Sequence, residues 1–374
     1  MSSMLSRSLP HSLRISAPGR VCLFGEHQDY LHLPVVPCAI SLRVTVEGTR
    51  MERPRVDLDL PDIGSYESFP IDCILPYEKE RDYLRSAVNV VHRHGFTHSS
   101  GIHATVRGTI PINTGTSSSS ALIVAWIDFL VRMSDRAEAL PAVQLAYLAH
   151  EAEVVEFNEP GGMMDHFSTA FGHVVAIDFV PSIAVARLDV PLKTFVLGDS
   201  GEPKDTTAIL ARVKNQVMEI AADLRTRHPE FSLHTVDVGS LHRYTSDLTP
   251  ERAALLRGIF CNRDITTVAR TLLCETPLDH RRVGFLLSEH QAVLRDVLRI
   301  STPKIDRMID AAVNAGAYGG KINGSGGGGC MFAYAPERAE DVAAAIERAG
   351  GKAYVVTADD GVRDDSDPTG GPGR

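Results

Sequence analysis

The chain has 374 residues, 44% of them hydrophobic and 23% charged, with a formal net charge of −9. That length exceeds one ordinary core, so two domains are expected, and the acidic balance argues against a nucleic-acid or membrane-surface partner. No apolar run reaches the roughly 18 residues of a spanning helix. The six cysteines form no C-x-x-C pair, which fits reduced thiols in a cytoplasmic protein better than disulfides or a zinc site.

In chain order, residues 1–12 lack a long apolar core and a small-residue cleavage site, and read as a flexible tail rather than a signal peptide. "RVCLFG" and "VVPCAISLRVTVEG" read as strands. Between them Arg20, Glu26, His27 and Asp29 crowd polar groups around a bend marked by Gly25. A helix pattern over 78–94 precedes "GIHATVRG", which alternates like a half-buried strand. That strand leads into "TIPINTGTSSSSALIVAWIDFLV", where Ser117, Ser118, Ser119 and Ser120 follow Gly115 and open an apolar helix. Thr116 or Ser117 is the expected N-cap. The first N–H groups of that helix have no intrahelical partner and sit at the positive end of its dipole, so the turn is suited to an anion.

Further helices are expected over 140–157 and 163–171. Pro160-Gly161-Gly162 starts the second and places Asp165 in its first turn, where the dipole keeps a carboxylate ionised. Strands over 173–179, 183–190 and 193–199 close this half, and the domain boundary is expected near 197–203. Long helices follow over 204–225, 252–273 and 281–299. The chain then reads helix 302–316, strand 317–322, the loop "NGSGGGG", strand 330–335, helix 336–350 and strand 352–356. Beyond 358 it is acidic and rich in glycine and proline, and disorder is expected.

Gly324, Gly326, Gly327, Gly328 and Gly329 satisfy G-x-G-x-x-G literally. A dinucleotide fingerprint should open a helix, whereas "CMFAYA" follows here, so that reading is rejected. The glycines still let the backbone approach a ligand closely. Neither a P-loop nor the protein-kinase motifs occur. The serine turn and the glycine loop, far apart in sequence, can cooperate only across a cleft.

Taken together, "APGRVCLFGEHQDY", "PINTGTSSSSA", "PGGMMDHF" and "KINGSGGGGC" resemble the motifs of the GHMP kinase superfamily of small-molecule kinases, over residues 14–335. "GEHQDY" resembles the galactokinase branch, although Cys22, the turn "LHL" and "GTSSSS" depart from that branch's usual residues. The resemblance implies an α+β fold of two domains: 13–197 like domain 2 of ribosomal protein S5, 198–357 ferredoxin-like, and 358–374 an acidic tail. It implies ATP on Gly115, Thr116, Ser117, Ser118, Ser119, Ser120, Gly324, Ser325, Gly326 and Gly327, and Mg²⁺ on Ser119 and Glu153. It also implies a sugar on Glu26, His27, Asp29 and Tyr30, with Asp165 as base and Arg20 beside it. The implied reaction is transfer of the γ-phosphoryl group to a monosaccharide hydroxyl, most readily the anomeric one, by a cytoplasmic monomer or homodimer. Two readings stay open beside it, a kinase for another alcohol such as mevalonate and a catalytically silent sugar or nucleotide sensor.

Overall fold

The structure is a computed structural model that describes residues 10–111, 115–203 and 206–366. Its first half holds β1 (Ser12–Phe24), β2 (Val36–Met51), β3 (Arg55–Leu60), β4 (Ser65–Pro70), α1 (Tyr83–Arg93) and β5 (Gly101–Gly108). These are followed by α2 (Ser118–Met133), α3 (Ala142–His150), α4 (Met164–Phe171), β6 (Val174–Asp178) and β7 (Ala184–Leu188). The second half holds β8 (Phe195–Asp199), α5 (Thr206–Arg227), α6 (His242–Thr245), α7 (Pro250–Leu273), α8 (His280–Asp296) and α9 (Pro303–Asn314). It ends with β9 (Gly319–Asn323), β10 (Cys330–Tyr334), α10 (Ala339–Arg348), β11 (Lys352–Val356) and β12 (Arg363–Asp364).

The larger sheet runs β12-β1-β2-β5-β3-β4, with β6 pairing β2 and β7. Pairing of β1 with β2 slips between Pro18 and Arg20 and again between Cys22 and Phe24. Such irregularities bend a strand and re-aim its side chains, and here they turn the end of β1 toward the serine turn. Gly19 is required at the first of them, because a Cβ there would lie 2.8 Å from the Thr116 carbonyl. The α1–α4 helices cover one face of this sheet through Trp126, Phe129, Leu130, Phe167 and their neighbours. The smaller sheet is antiparallel in the order β11-β8-β10-β9, the ferredoxin-like arrangement. Val21, Leu23 and Phe24 of β1 pack with Phe195, Phe332 and Leu287 in a third apolar cluster that joins the two sheets.

Several expectations need correction. The expected boundary after residue 197 cuts β8, which pairs residue for residue with β10 and β11 and so belongs wholly to the second sheet. Residues 358–366 are ordered, whereas 367–374 lie outside the described residues. β12 pairs Ile15 and Ser16 of β1, Ala358 bridges Ile40 and Asp360 bridges Gly172. Arg43 holds the segment by donating to Asp359, to the carbonyls of Asp360 and Gly361, and to Ser16. An acidic composition was outweighed there by one guanidinium and a free sheet edge. The hairpin of β3 and β4 was not anticipated, and the expected helix over 140–157 divides into α3 and a π-helical turn, Glu151–Val155. Residues 1–9 of the expected tail and 112–114 of the serine motif lie outside the described residues.

Candidate active site

Gly115 and Gly324 meet across the cleft, as the sequence required of two distant loops. A Cβ on Gly324 would lie 2.8 Å from the Gly115 carbonyl oxygen. That oxygen accepts from Arg20 Nη1 at 2.6 Å and from Asn323 Nδ2 at 2.8 Å. The contact brings β1, the serine turn and the glycine loop around one cavity of about 370 Å³, in the range of small-molecule sites. Arg20, Glu26, His27, Asp29, Tyr30, Gly115, Ser117, Ser118, Ser119, Ser120, Glu153, Asp165, Gly324 and Ser325 all line it. Thr116 is buried behind the wall, where its carbonyl accepts from Arg20 N. Gly326 and Gly327 turn away, Gly326 against Ile300 and Gly327 against Ile209, with Gly327 N donating to the Ile300 carbonyl at 2.7 Å.

At the centre Arg20 grips Asp165 bidentately, Nε to Oδ1 at 2.7 Å and Nη2 to Oδ2 at 2.9 Å. Of Thr116 and Ser117, the two expected caps of α2, Ser117 takes the position. It does so with φ 58° and no side-chain cap bond, and its hydroxyl instead donates to Asp165 Oδ2 at 2.6 Å. Burial by itself would raise the Asp165 pKa, but the Arg20 charge and the hydrogen bonds from Arg20 and Ser117 outweigh it and hold the carboxyl below its ordinary value. Asp29 lies nearby and makes no ion pair among the described residues. Its oxygens accept backbone N–H groups, Tyr30 at 2.9 Å and Met164 at 3.4 Å, and burial followed by the charge of Asp165 pushes it up to about 6. Gly162 leaves room for it, since a Cβ there would fall 2.0 Å from Asp29 Oδ2.

Glu26 and His27 line the cavity with Asp29 and Tyr30, and each also makes contacts within the chain. Glu26 Oε2 accepts from the fully buried Lys321 Nζ at 2.6 Å, and Oε1 accepts from Gly324 N at 3.0 Å. The first motif is thereby tied to the glycine loop. His27 Nε2 lies 3.0 Å from the Ser325 carbonyl and Nδ1 lies 2.7 Å from Tyr30 Oη. A carbonyl can only accept, so Nε2 carries the hydrogen and the Tyr30 hydroxyl donates to Nδ1.

Sequence reasoning missed Lys321, Asn323, His166 and the mouth of the cavity, where Arg81 pairs with Glu159 at 2.5 Å and Tyr83 Oη donates to Glu159 at 3.3 Å. Lys321 had a visible signal: it is a lone charge inside the apolar strand "AYGGKI", and a buried charge needs a partner. Among the described residues no group of three or more His, Cys, Asp or Glu could hold a metal. Ser119 and Glu153 both line the cavity and offer one hydroxyl and one carboxylate. That donor set fits Mg²⁺, which commonly takes one or two carboxylates and completes its shell with water and substrate phosphates.

A helix N-terminus beside a glycine loop over an Arg–Asp pair is an arrangement suited to binding and transferring a phosphoryl group. The GHMP kinases N terminal domain matches residues 82–173, the GHMP kinases C terminal family matches 269–352, and the galactokinase galactose-binding signature matches 6–50. The chain belongs to the GHMP kinase superfamily and is a small-molecule kinase of its sugar or alcohol type. It is 28% identical over 350 residues to a mevalonate kinase of Thermococcus gammatolerans, covering 91% of this chain and 94% of the relative. It is also 28% identical over 374 residues to a galactokinase of Actinobacillus succinogenes, covering 94% of each chain. The galactokinase of Lactococcus lactis complexed with galactose has the same fold, with a TM-score of 0.82 at 21% identity over 95% of this chain and 96% of that one. Among the described residues no helix is long and apolar enough to cross a membrane.

Proposed function

We propose that the chain transfers the γ-phosphoryl group of ATP to a hydroxyl of a neutral galactose-like monosaccharide, at C1. One observation carries the choice of acceptor. Among the described residues that line the cavity, the cations are Arg20 and Arg81, and each is already paired with a carboxylate, Asp165 and Glu159. Asp29 adds a carboxylate held, among the described residues, by the backbone donors Tyr30 N and Met164 N. Among those lining residues no unpaired Arg or Lys would meet the further negative charge of an acidic acceptor such as mevalonate, whereas a polyol donates hydroxyl hydrogens to Asp29.

In this reading the first turn of α2 receives the phosphates, with Ser119 and Glu153 holding Mg²⁺, which would neutralise charge developing on the phosphoryl oxygens. Glu26 and His27 shape the wall, and the direct acceptor contacts fall to Asp29 and Asp165. A carboxylate offers about four lone-pair sites. On Asp165 Arg20 and Ser117 take three, leaving one on Oδ1 for the acceptor hydroxyl. With its pKa held low, Asp165 is a weak base that aligns the hydroxyl and takes its proton late, which suits a loose phosphoryl-transfer transition state.

The test is a coupled ADP-release screen over galactose, N-acetylgalactosamine, arabinose, fucose, galacturonate and mevalonate. A neutral sugar should lead, and a deoxy sugar lacking the hydroxyl that meets Asp29 should lose at least about tenfold in kcat/KM. Mevalonate as best acceptor would overturn the sugar reading and leave the kinase class standing. ATP turnover indifferent to every acceptor would point to the sensor.

A further inference from the structure

We propose that His166 is the positioning residue for Glu153, setting which carboxylate oxygen faces the cavity; this rests on the reading of Glu153 as the Mg²⁺ carboxylate. Glu153 rides on the π-helical turn Glu151–Val155, where Glu156 N donates to the Glu151 carbonyl at 3.0 Å and Glu159 N to the Val154 carbonyl at 3.0 Å. Five-residue spacing widens the helix and rotates the side chains that follow, and such turns recur at functional sites. A regular continuation of α3 would aim residue 153 differently. The turn supplies direction, but a glutamate has three side-chain torsions to fix.

His166 fixes them. It is 2% exposed, and its Nε2 lies 2.8 Å from Glu153 Oε2. The His150 ring packs edge-to-face against it with centroids 5.3 Å apart and planes at 87°, which restricts the imidazole. The ionised carboxylate can only accept, so Nε2 carries the hydrogen. His166 Nδ1 is buried without a hydrogen-bond partner among the described residues. His166 therefore occupies Oε2 and leaves Oε1 for the cavity.

His166 follows Asp165 directly on the first turn of α4. Consecutive helical residues leave the axis about 100° apart, so one turn of α4 locks the acceptor-side carboxylate through Arg20 and Ser117 contacts and the metal-side carboxylate through His166. Any shift of α4 would move both, which couples the alignment of acceptor and metal.

The experiment measures how much Mg²⁺ tightens binding of a non-hydrolysable ATP analogue, by calorimetry on the full chain with and without the metal. His166→Leu removes the donor and keeps an apolar filling; His166→Gln keeps an amide donor. The Mg²⁺ enhancement should fall about tenfold or more in His166→Leu, as for other residues that orient a metal ligand, and should largely return in His166→Gln. Metal-free affinity for the analogue should stay within twofold of the parent in both. His166→Leu with the parent's Mg²⁺ enhancement would overturn the positioning role, as would equal loss of metal-free binding in both variants. Glu153→Gln separates the two claims. If it abolishes the enhancement while His166→Leu does not, only the positioning role fails; if it leaves the enhancement intact, the metal assignment itself is wrong.

Discussion

Asp29 is the group whose replacement tests the electrostatics of the cavity most directly. Folding carries this carboxyl from an ordinary 3.8 up to about 6, because burial and then the charge of Asp165 disfavour its ionised form. A raised carboxyl destabilises the native state wherever it must ionise. The cost is absent below about pH 4, grows as pH rises between the two values, and is complete above the folded value. The shift of roughly two units corresponds to about 3 kcal/mol, and water reaching the half-buried side chain reduces that to about 1–2 kcal/mol. The amide introduced by Asp29→Asn would keep an acceptor for Tyr30 N, now at 2.9 Å, and lose only the long contact from Met164 N at 3.4 Å. Asp29→Asn should therefore be more stable than the parent at pH 8, by about 1 to 4 °C in Tm for a chain of this size, with the gain fading toward pH 4.5. Acceptor KM should rise at least about tenfold in the same variant, while ATP binding stays near normal. Differential scanning fluorimetry across pH on both proteins reads the first effect. A variant that is less stable at pH 8, or whose advantage does not shrink with acid, would refute the placement of an uncompensated carboxylate beside Asp165.

Ser117→Ala removes one of the hydrogen bonds that keep Asp165 ionised, so the acid limb of the kcat/KM profile should move to higher pH with ATP KM little changed; an unmoved limb would show that Arg20 suffices. Asp165→Asn should fold yet lose roughly 10²-fold or more in kcat, since the amide neither takes a proton nor balances Arg20; a loss of only a few-fold would reduce Asp165 to a structural partner of that arginine. Lys321→Met leaves Glu26 charged and buried, and urea unfolding should show a loss of roughly 3–5 kcal/mol, partly recovered by adding Glu26→Gln. Near-parental stability of the single variant would mean that water already reaches the pair.

Much of this protein was legible because local chemistry suffices to mark it. Ser117 to Ser120 before an apolar run identify a helix mouth, five glycines identify a close backbone approach, and Pro160-Gly161-Gly162 starts α4 with Asp165 in its first turn. Each rests on one segment's own backbone propensities. The rest depends on partners that no local pattern names. That Glu26 also carries the buried Lys321 charge, on another sheet, could not be read from its own segment. Ser117 keeps the cap position while Asp165 claims its hydroxyl, and residues 358–366 look disordered until the edge of β1 and Arg43 receive them. The strand over 195–199 is apolar whichever sheet it joins, so its membership in the second sheet was settled only by pairing with β10 and β11. A polar side chain's role is fixed by whatever satisfies its hydrogen bonds and charge, and once it is buried that partner is chosen by the fold.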